Sequence, residues 1–560
     1  MTSQPARAAN AVSIDASAVQ AASILVDAAF LDESKHEEIA KGIATWNIPG
    51  FQANRDLVAY PDGGLYNPVA LTFDPSFNSQ DFSKPIKHFK HPVLDDVKRP
   101  ESDDDLAFMT VLQLGSLIRS KQVTSVELVK LYTGRLKKED HVLKAVVTYT
   151  EELALEQASA ADRLLSQGNY LGPLHGVPYG LKDIFAVPGY KTTWGSKSYK
   201  DQVIDKESWV YQKLKKAGAV LIAKLAPGSL AYDDIWFGGQ TKNPWNIMEG
   251  STGSSAGPAS STCAGNVPFA IGTETSGSIT IPAARVGVTA LRPTFGMVGR
   301  SWSMSLSESL DKIGPFCRSA EDCAVIIDIL RGKDPDDWSS KNIYLDDPFA
   351  MDVTELRVGY LPDADMEVVK VLENKGVKMV PFELKYSLST VQFTLKITME
   401  VDVLAHFDHW QRAGLDEDYE DQNAWPVVVR RSRLISAVDY LQAQRARGKL
   451  ALELKELMEK QKVDAFVGNA TDWEWICAGN LAGMPVIVIP TGLKDVTDPP
   501  ANGTKRRTTI TSGIYAAPYQ DATVLALAMA YQSVTNHHVQ RPPVDRLSPD
   551  DPALSSTSTD

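Results

Sequence analysis

Between Gly250 and Arg300 the chain is dense in Gly, Ser and Thr and almost free of charge, yet apolar residues interrupt it. It reads Gly-Ser-Thr-Gly-Ser-Ser-Ala-Gly-Pro over 250–258 and Gly-Thr-Glu-Thr-Ser-Gly-Ser-Ile-Thr over 272–280. Small residues let backbone approach backbone or ligand closely, and glycine reaches dihedrals that other residues avoid. Hydroxyls in such turns can act as nucleophiles or proton relays, and turn N–H groups can bind an anion. A flexible linker has a similar Gly/Ser content. The apolar run Val267-Pro268-Phe269-Ala270-Ile271 and the rarity of charge argue instead for a buried segment.

With 43% apolar and 23% charged residues the chain reads as a soluble globular protein, and 560 residues allow one very large domain or two to three ordinary ones. A net charge of −13 argues against nucleic acid as the main partner. Four scattered cysteines make neither a disulfide framework nor a Cys-x-x-Cys zinc site, so reduced thiols and a cytoplasmic location are expected. No apolar run approaches the roughly 20 residues that span a bilayer, so no membrane anchor is expected. The Ala-rich start, with Arg7 as its one basic side chain, does not resemble a secretory signal.

Residues 1–105 lack sustained periodicity. Helices are expected at Ala16–Phe30 and Glu33–Ala44, then turns at Asn47–Gly50, Pro61–Gly64 and Asn67-Pro68. This region reads as an arm draped over the main body or an oligomer contact, for which a homodimer is the simplest form; partial disorder is the alternative. His88 and His91 are expected in solvent. From Leu106 helix and strand alternate. Helices are expected at Leu106–Arg119, from the capping box Thr124–Glu127 through Lys138, and at Glu151–Leu165, Trp209–Ala217, Ser319–Gly332 and Asp521–Tyr531. Strands are expected at Lys144–Thr148, within 174–184, and at Ala219–Ala223, Val286–Leu291, Leu356–Tyr360, Ala465–Gly468 and Pro485–Pro490. The pattern predicts an α/β fold with helices covering a buried sheet. Residues 106–538 form the expected main domain, with a mostly helical insertion at about 363–455 and a disordered tail over 539–560.

Three nucleophilic readings compete. Gly253-Ser254-Ser255-Ala256-Gly257 fits the Gly-x-Ser-x-Gly elbow, but no β-branched strand precedes it. His406, Asp408 and His409 form a His/carboxylate cluster without the spacing of a zinc hydrolase, so no metal is expected. The third reading is a serine nucleophile with a lysine base. Lys182 sits in the apolar segment 174–184, and hydroxyl-rich turns lie at Ser254 and Ser278. A Lys buried beside hydroxyls has a lowered pKa, and its neutral amine can act as a base; the plainer reading is a snorkelling Lys at a strand end.

Segments 174–184, 253–257 and 272–284, together with Asn243-Pro244-Trp245-Asn246 and Leu310-Asp311-Lys312-Ile313-Gly314-Pro315, resemble the amidase signature family from about Leu106 to Tyr531. The resemblance implies a large mixed β-sheet covered on both faces by helices, and an amidase acting on a small-molecule amide without a cofactor. It implies a triad of Ser278 as nucleophile, Ser254 as bridging serine after a cis peptide bond, and Lys182 as base. It places the oxyanion hole at the backbone N–H groups of Thr275, Ser276, Gly277 and Ser278, supported by Ser255, Thr273 and Glu274. The family often has Asp at Glu274, Gly at Ser276 and an Arg brace at Thr280. Its branch of tRNA-dependent amidotransferase A subunits, which work with partner subunits, usually has Gln at Ile281. Trp194, Trp236, Phe237, Trp245, Trp302, Trp473 and Trp475 read first as core residues, with the lining of an apolar acyl or aryl pocket as the alternative.

Overall fold

The capping box at Thr124 is made in full: the Thr124 hydroxyl accepts the Glu127 N–H, and the Glu127 carboxylate accepts the Thr124 N–H. It starts a helix over Ser125–Leu143, longer than the spacing alone predicts. A second capping box, Thr110 with Gln113, splits the helix expected at Leu106–Arg119 into Asp103–Ala107 and Val111–Arg119. The computed structural model describes residues 14–26, 28–57, 74, 75, 82, 85–385, 388–496 and 503–555. The turns read at Pro61–Gly64 and Asn67-Pro68 lie outside these residues, and the turn read at Asn47–Gly50 is instead helical, where Ile43–Asn47 runs on into the helix Ile48–Leu57 with Pro49 in its first turn.

The described residues divide into two units. The first joins the chain up to Ala70 with Ser387–Glu417 and Asp421–Lys449. It contains helices Ala16–Leu25, His36–Gly42, Ile48–Leu57, Leu388–His406 and Trp425–Ser432. Val19, Leu31, Ile39 and Ile43 form a small apolar core in it. The Thr394 hydroxyl donates to Asn54 Oδ1 at 2.6 Å, and Arg431 pairs with buried Glu400.

The second unit holds one eleven-stranded sheet. Its strands are β1 (Val146–Tyr149), β2 (Pro178–Lys182), β3 (Val220–Leu225), β4 (Phe269–Glu274), β5 (Thr289–Arg292), β6 (Lys312–Cys317), β7 (Arg357–Tyr360), β8 (Lys378–Pro381), β9 (Ala465–Asn469), β10 (Val486–Asp495) and β11 (Arg507–Ala516). Their order is β1-β3-β2-β4-β6-β5-β10-β11-β9-β7-β8. β2 runs parallel to β3 and β4, and β7 parallel to β8 and β9; the other pairs are antiparallel. Every residue of β2, β3 and β6 is buried, which requires cover on both faces of the sheet. The fold is therefore the helix-covered mixed sheet expected from the sequence. The strand expected at Val286–Leu291 is instead the end of helix Thr280–Val286 and the start of β5, with the left-handed Gly287 between them.

Two expectations are corrected. His88 and His91 are not merely solvated: His88 Nδ1 and His91 Nε2 each lie 3.1 Å from the buried Asp328 carboxylate. Part of the segment read as a disordered tail is packed, because Asp551 forms a buried ion pair with Arg506. Removing one partner of a buried pair typically costs about 3–5 kcal/mol. Asp551→Ala should lower unfolding free energy by that order in chemical denaturation; an unchanged midpoint would place the tail outside the folding unit.

Candidate active site

Lys182 ends β2, one strand from Thr273 on β4. The β2–β3 register shifts between Tyr179 and Gly180, just before the lysine. Such an irregularity changes where the following side chains point. Lys182 is fully buried. Its Nζ lies 2.8 Å from Ser254 Oγ, 2.9 Å from Thr273 Oγ1 and 3.2 Å from Ser255 Oγ. Among the described residues no carboxylate pairs with it. Lys224, equally buried one strand away, is different: its amine pairs with Asp183 at 2.8 Å. One buried lysine is thus neutralised by a carboxylate, and the other faces only hydroxyls. Burial pulls the Lys182 pKa from its usual 10.5 down to about 7, with Asp311 and Glu274 pulling the other way.

The serines enter from two turns. Ser254 follows a cis peptide bond with Gly253, and Ser255 precedes the helix Ala256–Cys263. The Ser255 hydroxyl donates to the Thr273 carbonyl at 3.1 Å and accepts the Thr273 N–H at 3.1 Å. Its proton is therefore committed, and its burial is not that of an exposed elbow nucleophile. A Cβ on Gly272 would sit 2.5 Å from Ser255 Oγ, so only glycine leaves room for this serine.

The second turn, Thr275–Ser278, follows β4. Gly277 has φ +92°, a backbone conformation that favours glycine. Ser278 is half-buried, and its carbonyl accepts the Ser255 N–H at 3.1 Å. The structure thus gathers Lys182, Ser254, Ser255 and Thr273 directly, and Ser278 joins them through its backbone.

Glu274 holds this turn from behind. One carboxylate oxygen accepts the Ile279 and Thr280 N–H groups, both at 2.9 Å, and the Thr280 hydroxyl at 3.1 Å. The other accepts Arg292 Nη1 and Asn480 Nδ2, both at 2.8 Å. Burial pushes the Glu274 carboxyl up, but the Arg292 ion pair and the Thr280 N–H outweigh it and hold it at about 2. Thr280 gives this carboxylate an N–H and a hydroxyl, and the cation that meets it comes from Arg292 on β5. Sequence reasoning missed Arg292 and Asn480, since Asn480 lies 206 residues from Glu274. The signal available was a lone Arg in an apolar strand.

A cavity of about 580 Å³ reaches Thr273 and Thr275 and is bounded by Phe295, Arg300, Asp311 and Trp338. That volume suits a small-molecule ligand. None of the aromatics expected from sequence lines it; Trp236 and Trp245 are core residues. Among the described residues no cluster of His, Cys, Asp or Glu is arranged for a metal. Asp408 of the His406–His409 cluster pairs instead with Arg412 and Arg433. No helix of the described residues is long and apolar enough to cross a membrane.

Glu274 makes a pH-dependent contribution to stability. Its pKa is depressed from 4.5 to about 2, so the stabilisation is present above pH 4.5 and lost as pH falls toward 2. The shift corresponds to roughly 3 kcal/mol. Glu274→Gln should lose stability of that order at pH 6, and its deficit against the wild type should shrink on acidification. A constant deficit from pH 6 to pH 3 would contradict the assignment.

The Amidase family model matches residues 127–525. The A subunit of glutamyl-tRNA(Gln) amidotransferase from Carboxydothermus hydrogenoformans is 29% identical over 505 residues, spanning 78% of this chain and 99% of its own. The protein of the same name from Coxiella burnetii is 30% identical over 492 residues, spanning 77% of this chain and 99% of its own. Native peptide amidase from Stenotrophomonas maltophilia shares the fold with a TM-score of 0.66 at 23% identity, covering 78% of this chain and 98% of that one. An amidase family protein from Bacillus anthracis gives a TM-score of 0.67 at 22% identity, covering 79% and 93%. With a family match over most of its length and the fold of solved amidases, the chain belongs to the Amidase family.

Proposed function

We propose that the protein hydrolyses a carboxylic amide C–N bond through an acyl-enzyme on Ser278. The observation that carries this reading is the fully buried Lys182 amine, which meets three hydroxyls and no carboxylate among the described residues. With its pKa near 7 the neutral amine is populated at neutral pH. The Ser255 hydroxyl donates to the Thr273 carbonyl, which leaves the Ser254 and Thr273 hydroxyls facing the amine, and of these Ser254, at 2.8 Å, holds the bridging position of the family's triad. The Ser278 proton passes to Ser254 Oγ as the Ser254 proton passes to Lys182 Nζ, and Ser278 Oγ attacks the amide carbon. The oxyanion is received by the N–H groups of Thr275, Ser276, Gly277 and Ser278; one such donor is worth about 3 kcal/mol. The C–N bond breaks as the proton returns through Ser254 to the leaving nitrogen. Water then cleaves the acyl-serine by the same relay. Esters and carbamates offer the same carbonyl chemistry.

The names of the curated relatives favour a second reading, the A-type subunit of a glutamine-dependent tRNA amidotransferase acting with partner subunits. Two observations support the stand-alone hydrolase. The relatives match 78% and 77% of this chain but 99% of their own lengths, so about a fifth of this chain has no counterpart in them. Position 281 is Ile rather than that branch's usual Gln.

Purified chain alone should release ammonia or aniline from simple amides. Ser278→Ala should abolish turnover, and Lys182→Ala should lower it at least about a thousandfold. Turnover should rise with pH through about 7, as Lys182 loses its proton. Release confined to glutamine and to mixtures with partner subunits would select the second reading. Full turnover by Ser278→Ala would remove the assignment.

A further inference from the structure

Asp311 precedes β6, and its carboxylate accepts hydrogen bonds from two directions. Oδ1 accepts the Thr275 hydroxyl at 2.6 Å. Oδ2 accepts the Ser305 hydroxyl at 2.9 Å, the Leu306 N–H at 2.8 Å and the Ser307 N–H at 3.1 Å. Thr275 opens the turn that ends in Ser278, while Ser305 and Leu306 line the 580 Å³ cavity. Arg300 braces the same loop: it donates to the carbonyl oxygens of Asp311 and Ser307, at 3.4 and 3.5 Å, and pairs with Asp337 at 3.1 Å. One carboxylate therefore ties the reactive turn to the cavity wall.

Its charge has a second consequence. Two acidic groups, Asp311 and Glu274, act on the Lys182 amine, and a third, Asp183, is its neighbour in sequence. Asp183 is answered by Lys224 at 2.8 Å, and Glu274 by Arg292 at 2.8 Å. The Asp311 carboxylate is held by hydroxyl and amide donors, with the Arg300 cation acting on it from the same loop, and it is the foremost charge opposing the effect of burial on Lys182. A nearby negative charge favours the protonated amine, which makes the neutral amine a stronger base.

We propose that Asp311 is a positioning residue for the amide reaction: it fixes the Thr275–Ser278 turn against the cavity wall and holds a negative charge toward the Lys182 amine. The inference rests on the reading of Lys182 as base and Ser278 as nucleophile. Asp311→Asn removes the charge and sets an NH2 group against donors that now meet an acceptor. Thr275→Val keeps the charge and cuts only the tether.

The test is the rate at which a fluorophosphonate labels Ser278 between pH 5 and 10, read by intact mass alongside thermal melting. In that reaction Ser278 Oγ displaces fluoride from phosphorus and its proton leaves through Ser254 to Lys182. The wild-type rate should rise through about pH 7. In Asp311→Asn the rise should move to lower pH by at least about half a unit, with a slower rate above it. In Thr275→Val the rise should stay in place while the rate falls about tenfold. A merely structural role would lower both rates in step with the melting temperature and move neither profile, and that outcome overturns the proposal. Wild-type behaviour in Asp311→Asn overturns it too; if that variant does not fold, a wild-type rate in Thr275→Val does so. Amide turnover on the same samples separates the two readings: labelling without turnover removes the amidase function and leaves the Asp311 comparison to stand or fall by the label. A wild-type protein that takes no label removes both.

Discussion

An amine buried among hydroxyls, with no carboxylate pairing it among the described residues, sets the terms for the rest of this structure. Burying an ammonium is costly unless it is paired, so such a group sheds its proton near neutrality. Lys224 shows the other solution one strand away, where Asp183 supplies the counter-charge. The two lysines share burial and differ in partner, and that difference separates a structural ion pair from a group able to take a proton.

The surroundings of Lys182 follow from keeping it in place. β2 and β3 are buried throughout, which gives the amine no route to water along its strand. Ser255 spends its hydroxyl on the Thr273 backbone and so joins the two hydroxyl-bearing segments. Behind the Thr275–Ser278 turn, Glu274 binds the following N–H groups with one oxygen and Arg292 and Asn480 with the other. The charge that stiffens the turn is thus compensated by Arg292.

Much of the site was legible because it is local in sequence or carried by short motifs. Lys182 stands out as the one Lys in an apolar run, and Ser254 and Ser278 as hydroxyls in glycine turns. The residues that brace them were not legible, because their partners are far along the chain. Asn480 lies 206 residues from Glu274, and away from the site His88 lies 240 from Asp328. The helix Ala256–Cys263 hides in a Gly/Ser/Thr run with weak intrinsic preference for helix and forms through complete burial. β6, Lys-Ile-Gly-Pro-Phe-Cys, contains both residues that usually break a strand, yet all six positions are buried in the sheet. There tertiary packing overrides local preference. The first unit escapes a reading in chain order because it joins residues before Ala70 to a segment starting at Ser387.

The central claim is that the Lys182 amine is uncharged near neutral pH in the folded protein. Titration of the lysine ¹³Cε signals in ¹³C-lysine-labelled protein, with Lys182 assigned by its absence from a Lys182→Met spectrum, measures this directly. The account predicts an inflection near pH 7 for that one lysine. A signal that stays in its protonated position to pH 10 would contradict it.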